Sequence, residues 1–213
     1  MKTILCYGDS NTWGYIPNSG LRFDEQTRWT GVLGRELGEG YRILEDGING
    51  RTTVWNHPFE EYRSGVDGLG YSLHRSKPID LMILMLGTND LNYTDAFGVY
   101  KGLNVLVRRI LNAEACYPSI EKVFRNGPKL LLVSPILLDA DISRVRPELH
   151  VSGRYQDSCK FAMYTRRLAE EYGIAWMDAA EFAHPDPQDC LHMDAQNHLA
   201  LGKAIAEKVR TLL

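Results

Sequence analysis

Five short apolar runs alternate with longer amphipathic stretches along the 213 residues, and this alternation constrains the fold more than any other feature. The apolar runs predict strands at residues 3–7, 41–45, 81–86, 129–134 and 174–177. The amphipathic stretches predict helices at 29–37, 69–75, 96–112, 158–172 and 196–213. Strands that alternate with helices are typical of a parallel sheet flanked by helices. We therefore predict an α/β fold.

The composition fits a single domain spanning residues 1–213. The content of 44% hydrophobic and 24% charged residues is typical of soluble globular proteins, and no repeat or linker divides the chain. A net charge of -3 without a Lys/Arg cluster argues against nucleic acid as a partner. No apolar run reaches the roughly 18 residues that a membrane helix needs, so no membrane partner is expected.

The N-terminus and the cysteines bear on the cellular compartment. Met1 is followed almost at once by the first apolar run, so a secretory peptide of about 15–30 residues could not be removed without destroying that segment. We therefore expect a cytoplasmic protein, in which cysteines are usually free thiols. The four cysteines also lack the C-x-x-C spacing of a zinc site.

Polar residues and glycine follow the predicted strand ends. Ser10 follows the first strand, Gly50 the second and Asn89 the third, while Asp189 and His192 follow the fifth. The carboxyl ends of parallel strands share one edge of the sheet, where ligands bind at the topological switch point. We expect these five residues to meet there although they are far apart in sequence.

Their residue types suit nucleophilic catalysis. A serine hydroxyl needs a base that removes its proton and donors that receive the oxyanion. His192 is the candidate base for Ser10, and Asp189 can fix the imidazole tautomer from three residues away on a tight turn. The candidate oxyanion donors are the backbone N–H groups of Ser10 and Gly50 and the side-chain amide of Asn89.

Four sequence blocks resemble the SGNH (GDSL-type) hydrolase family, and they occur in family order: Gly8-Asp9-Ser10, Gly50, Gly87-Thr88-Asn89-Asp90 and Asp189-x-x-His192. The nucleophile elbow of α/β-hydrolases, G-x-S-x-G, is absent because the second glycine is missing. The resemblance covers essentially the whole chain. Asp9 is interpreted as a structural residue of the nucleophile loop.

Further stretches resemble the arylesterase and acetyl-esterase branch of that family: Thr12-Trp13-Gly14, Arg28-Trp29-Thr30-Gly31-Val32-Leu33, Arg51-Thr52-Thr53 and Met85-Leu86-Gly87-Thr88-Asn89-Asp90. This resemblance implies a flavodoxin-like, three-layer α/β/α sandwich with a five-stranded parallel sheet and no cofactor. It also implies hydrolysis of short acyl esters, acyl transfer in some members, and homo-oligomers. Cys190 departs from the small or aliphatic residue expected between the aspartate and the histidine.

Some features keep two interpretations. Trp13 either lines the acyl pocket as a substrate-binding residue or packs in the core and anchors the first loop there. A metal site that uses His198 is disfavoured because six residues from His192 is not a helical ligand spacing, so packing near the last helix is expected instead. The long 135–155 connection, rich in Pro, Arg and Asp, is a lid, a subunit contact or a solvated loop.

Two other functions compete with a short-chain esterase. One is a hydrolase of the same family that acts on thioesters, lysophospholipids or acetylated sugars. The other is a non-catalytic, flavodoxin-like binding protein, which would not need His192. A phosphate-binding loop is disfavoured because the first loop has neither a Walker lysine nor G-x-G-x-x-G.

Overall fold

A computed structural model describes all 213 residues and contains one sheet of five strands, in which every neighbouring pair is parallel. The spatial order is β2-β1-β3-β4-β5. The strands are β1 (Lys2–Gly8), β2 (Tyr41–Gly47), β3 (Leu81–Met85), β4 (Leu130–Ser134) and β5 (Ala175–Asp178). All five predicted strands are therefore confirmed, with ends displaced by about one or two residues.

Nine α-helices connect or follow the strands. They are α1 (Ser10–Trp13), α2 (Trp29–Leu37), α3 (Gly65–Ser76), α4 (Ala96–Leu111), α5 (Ala113–Cys116), α6 (Ile142–Val145), α7 (Tyr155–Ser158), α8 (Phe161–Tyr172) and α9 (Ala195–Arg210). Single 3-10 turns occupy Glu61–Arg63, Asn89–Asn92 and Ala179–Glu181.

The helices differ from the sequence prediction in several places, and the helix predicted at 196–213 ends already at Arg210. The helix predicted at 158–172 begins later, at Phe161 of α8, because a separate turn, α7, ends at Ser158, whose hydroxyl donates to the Tyr155 carbonyl and accepts from the Leu138 N–H. The helix predicted at 69–75 begins earlier, at Gly65, whose N–H donates to the Thr52 carbonyl. No helix is predicted at 113–116 or at 142–145, where the short helices α5 and α6 lie.

The core lies in two layers because successive strand side chains point to opposite faces of the sheet. On β4, Leu132 belongs to a buried cluster shared with α3, α4 and α8, whereas Leu131 belongs to a second cluster shared with α2 and α9. Helices therefore cover both faces, and the predicted three-layer α/β/α sandwich is confirmed. None of the helices combines the length and apolar character that crossing a bilayer requires.

Close packing of α9 on α2 brings the end of the chain back towards β1. A Cβ atom on Gly202 of α9 would lie 2.6 Å from Cβ of Val32 on α2, so only glycine allows this approach. The loop before α9 begins at β5, on the far edge of the sheet. Because α9 packs on α2, this loop ends beside the first loop of the chain.

Candidate active site

Ser10 begins a single helical turn directly after β1. Asp9 caps that turn, since its carboxylate accepts the Asn11 N–H at 3.0 Å. Gly8 leaves no room for a side chain, because a Cβ atom there would lie 2.9 Å from the Met85 carbonyl oxygen. The turn holds Ser10 in a fixed position at the end of β1, and Asp9 has the structural contact that the sequence predicts.

Ser10, His192 and Asp189 form one chain of hydrogen bonds. The Ser10 Oγ lies 3.0 Å from Nε2 of His192, and Nδ1 of the same ring lies 2.9 Å from Oδ1 of Asp189. Oδ1 also accepts the backbone N–H of His192 at 2.6 Å. Cys190 closes the turn with a φ of 65°, in the left-handed region that few residues other than glycine adopt. The structure thus brings together the three residues that the sequence singles out.

Asn11 links the helical turn that begins at Ser10 (the serine turn) to the turn that carries Asp189 and His192 (the histidine turn). Its Nδ2 donates to the Leu191 carbonyl at 3.2 Å, and its Oδ1 accepts the Met193 N–H at 3.0 Å. The side chain is buried, so these bonds form away from competing water. Sequence analysis missed this contact, because an asparagine after the serine gives no sign of its partner.

The three candidate oxyanion donors lie on the loops after β1, β2 and β3. The Ser10 N–H is the first of its helical turn and has no acceptor within that turn, and the Gly50 N–H donates to no protein acceptor. One N–H of the Asn89 amide donates to the Arg51 carbonyl at 3.0 Å, which orients the group and leaves its second N–H unused.

A buried arginine ties these loops together. The Arg51 guanidinium donates to the Gly8 carbonyl at 3.1 Å and to Oδ1 of Asp46 at 2.8 Å, and it lies 4.0 Å from the centre of the Tyr7 ring. Because the Arg51 carbonyl also receives the Asn89 amide, one residue contacts the segments that carry all three candidate donors.

The aromatic ring that contacts the imidazole is that of Tyr15. Its centre lies 4.2 Å from the centre of the His192 ring, with an angle of 30° between the planes. Trp13 lies further out, 6.4 Å from the Tyr15 ring and 5.4 Å from the Arg22 guanidinium. Sequence analysis missed Tyr15, whose only signal is an aromatic residue close to Ser10. A substrate-binding role for Trp13 stays a prediction.

The electrostatics of the site favour a charged Asp189 beside His192. Burial raises the pKa of Asp189, but hydrogen bonds from the ring and backbone of His192 outweigh burial and leave that pKa below its usual value. An ionised carboxylate on Nδ1 holds the tautomer in which Nε2 accepts a proton from Ser10. This arrangement can generate a serine nucleophile.

Two neighbouring side chains take no part in this hydrogen-bonded chain. Burial raises the pKa of the Cys190 thiol, whose Sγ donates to the Pro187 carbonyl at 3.4 Å, and a buried thiol of this kind is inert. Burial lowers the pKa of His198 to about 4, and its Nδ1 accepts the Trp29 N–H at 3.3 Å. His198 therefore packs near the start of the last helix, as predicted.

Comparison with known proteins identifies the family. The model of the GDSL-like lipase/acylhydrolase family matches residues 6–200. No curated protein matches the chain by sequence. The chain is similar over its full length to three solved structures, each of which is also covered completely.

The first is an aryl esterase of M. smegmatis, with 34% identity and a TM-score of 0.91. The second is Est24, a carbohydrate acetylesterase from Sinorhizobium meliloti, with 32% identity and a TM-score of 0.91. The third is a putative arylesterase from Agrobacterium tumefaciens str. C58, with 35% identity and a TM-score of 0.88. The chain is therefore a hydrolase that belongs to the GDSL-like lipase/acylhydrolase family.

Proposed function

We propose that the protein is a serine esterase that hydrolyses short-chain carboxylic esters, acetyl or aryl esters, through an acyl-enzyme on Ser10. The observation that carries this proposal is the hydrogen-bonded line from Ser10 Oγ through His192 to Asp189, with distances of 3.0 and 2.9 Å. The names of the similar structures, aryl esterases and a carbohydrate acetylesterase, support the choice of ester.

The chemistry proceeds in two halves. His192 Nε2 takes the Ser10 proton as Oγ attacks the ester carbonyl, and the resulting oxyanion accepts hydrogen bonds from Ser10 N–H, Gly50 N–H and the Asn89 amide. The protonated imidazole then gives its proton to the departing alcohol, which leaves an acyl group on Ser10. Water, deprotonated by His192, then attacks the acyl carbonyl, and the carboxylic acid leaves as the ring returns the proton to Ser10 Oγ. Asp189 holds the ring and balances its charge throughout.

Three further properties belong to the same proposal. An alcohol can replace water in the second half, which gives acyl transfer. Trp13 contributes to the acyl pocket. The protein is a cytoplasmic homo-oligomer, so light scattering should give a mass that is a multiple of the 24.2 kDa chain.

A substrate panel with a matched pair of variants tests the activity. We expect hydrolysis of p-nitrophenyl acetate and of sugar acetates by the wild type, and a loss of about 10³-fold or more in Ser10→Ala, because the nucleophile is gone. Ser19→Ala, which removes an exposed hydroxyl from the following loop, is the control and should keep full turnover. A Ser10→Ala protein with normal turnover would refute the proposal.

A second series separates the competing functions. Short acyl chains should react faster than p-nitrophenyl octanoate, whereas a preference for long chains, thioesters or lysophospholipids would indicate another substrate class. A fluorophosphonate probe should label the wild type and leave Ser10→Ala unlabelled. A wild-type protein that resists the probe would favour the non-catalytic binding protein.

A further inference from the structure

The 135–155 loop packs against the turn that carries Asp189 and His192. The Asp139 N–H donates to the Cys190 carbonyl at 3.0 Å, and the Ile142 side chain is completely buried in the core. Arg146 follows α6 and places its Nη1 3.4 Å from Oδ2 of Asp189. Three contacts therefore hold the loop in place, and one of them is the ion pair between Arg146 and Asp189, the carboxylate that contacts His192.

The two oxygens of Asp189 have separate partners. Oδ1 accepts from the His192 ring and from backbone N–H groups of the turn, whereas Oδ2 accepts the Asn18 N–H at 3.1 Å and Nη1 of Arg146. The same Nη1 donates to Oδ1 of Asn18 at 2.8 Å, and Nε donates to Glu148 at 2.6 Å. The guanidinium is thus held in place by neighbours on both sides.

We propose that Arg146 is a positioning residue of the active site, which orients Asp189 through Oδ2 and offsets part of its negative charge. This inference rests on the proposed function, in which His192 is the base. Loss of the guanidinium should therefore change the pH dependence of ester hydrolysis.

The direction of the effect follows from the charges. The Asp189 side chain is 1% exposed, so water screens its interactions with Arg146 and His192 only weakly. Without the guanidinium, the full carboxylate charge acts on the ring and the repulsion between Arg146 and a protonated ring disappears. Both changes favour the protonated ring, so the variant needs a higher pH for activity. The titratable groups close to the ring or to Asp189 also include Asp9, His198, Tyr15 and Cys190, and none of them contacts Oδ2.

The pH profile of kcat/KM tests this role, because its acid limb reports the base of the free enzyme. For p-nitrophenyl acetate, Arg146→Met should move the midpoint of that limb upwards by about 0.5 pH unit. Arg146→Gln should give the same shift, because it also removes the charge, and Arg146→Lys should restore the wild-type midpoint. Arg144→Met is the matched control: it removes a charge from the same loop, but Arg144 pairs with Asp141 and not with Asp189.

Two results would overturn the inference. If Arg146→Met and Arg146→Gln keep the wild-type midpoint, the arginine only fastens the loop, whatever happens to the melting temperature. If Arg144→Met shifts the midpoint equally, the effect belongs to the general charge of the loop. Either result leaves the proposed esterase intact as long as Ser10→Ala is inactive, so the two proposals fail separately.

Discussion

Gly50 shows how a single residue serves both the backbone geometry and the chemistry of the site. Its φ of 76° lies in the left-handed region, and a Cβ atom would lie 2.7 Å from the Arg63 guanidinium carbon. Side chains other than hydrogen are strained in this conformation. The proposed oxyanion donor at this position therefore depends on glycine for its orientation.

We predict that Gly50→Ala lowers kcat/KM by about 10²-fold, because the new methyl group displaces the N–H from the oxyanion. Gly20→Ala is a matched control: its φ is 75°, and a Cβ atom there has no neighbour within 4 Å. Both variants should lose about 1 kcal/mol of unfolding free energy from backbone strain, and Gly50→Ala should lose more because its new Cβ atom also meets the Arg63 guanidinium. Urea denaturation measures that loss, and equal kcat/KM values for the two variants would contradict the donor role.

The residue scale also shows what sequence can predict. Ser10, Gly50, Asn89, Asp189 and His192 stand out because each follows a strand end, and the structure brings them to one edge. Their neighbours Asn11, Tyr15 and Arg146 do not stand out. Each contacts a turn that is distant in sequence, and such a contact depends on how loops pack rather than on local residue types.

At the scale of elements, the ends of β1 and β3 carry two buried carboxyl groups. Burial raises the pKa of Asp90 to about 7, although the Thr53 N–H and hydroxyl donate to it, and burial raises the pKa of Asp9 to about 6. Each carboxyl thus holds a proton in the folded protein at a pH where the unfolded chain has released it.

We predict that the unfolding free energy falls as pH rises from about 4 to about 7. In this window Asp9 and Asp90 bind more protons in the folded state than in the unfolded state, so the stabilisation that they give is complete at low pH and is lost as pH passes their raised pKa values. His198, whose lowered pKa has the opposite effect, offsets part of this fall. Asp90→Asn should flatten part of this slope, since its amide oxygen still accepts from Thr53 but does not titrate. Urea denaturation across the window measures the slope.

The control for this prediction is Asp95→Asn. Asp95 lies at the exposed start of α4, where asparagine also caps well, so the variant should keep the wild-type slope. An Asp90→Asn protein with an unchanged slope would show that Asp90 is charged in the folded state across this pH range.

Elements differ in how well sequence defines them. Strand positions follow from apolar runs, because a central strand of this sheet is buried on both faces. The break between α7 and α8 could not be predicted, since it depends on a contact between Ser158 and Leu138 from another segment. Where a tertiary contact determines the end of a helix, the local sequence has no pattern that predicts it.

At the scale of the whole molecule, the site joins two ends of the chain. Ser10 and His192 are 182 positions apart, and they meet because the loop after β5 returns to β1 before α9 packs on α2. Asn11 fastens the two loops at the point where they meet. The contact is thus a product of the complete fold.

We predict that Asn11→Ala lowers the unfolding free energy by about 2 kcal/mol, because the Leu191 carbonyl and the Met193 N–H are left buried without partners. The value of kcat/KM should fall as well, because the histidine turn loses its attachment to the serine turn. Denaturation and ester hydrolysis measure the two effects. Asn56→Ala, at an exposed position, is the control and should change neither; an Asn11→Ala protein as stable as this control would contradict the prediction.

The placement of β3 and β4 between the strands that precede Ser10 and His192 has a further consequence. Any change in the twist or spacing of those two inner strands shifts the alcohol relative to the imidazole. A displacement of about 1 Å is enough to slow such a reaction by about two orders of magnitude. The catalytic rate is therefore a sensitive measure of the geometry of the sheet, and it reports distortions of the interior that leave the melting temperature unchanged.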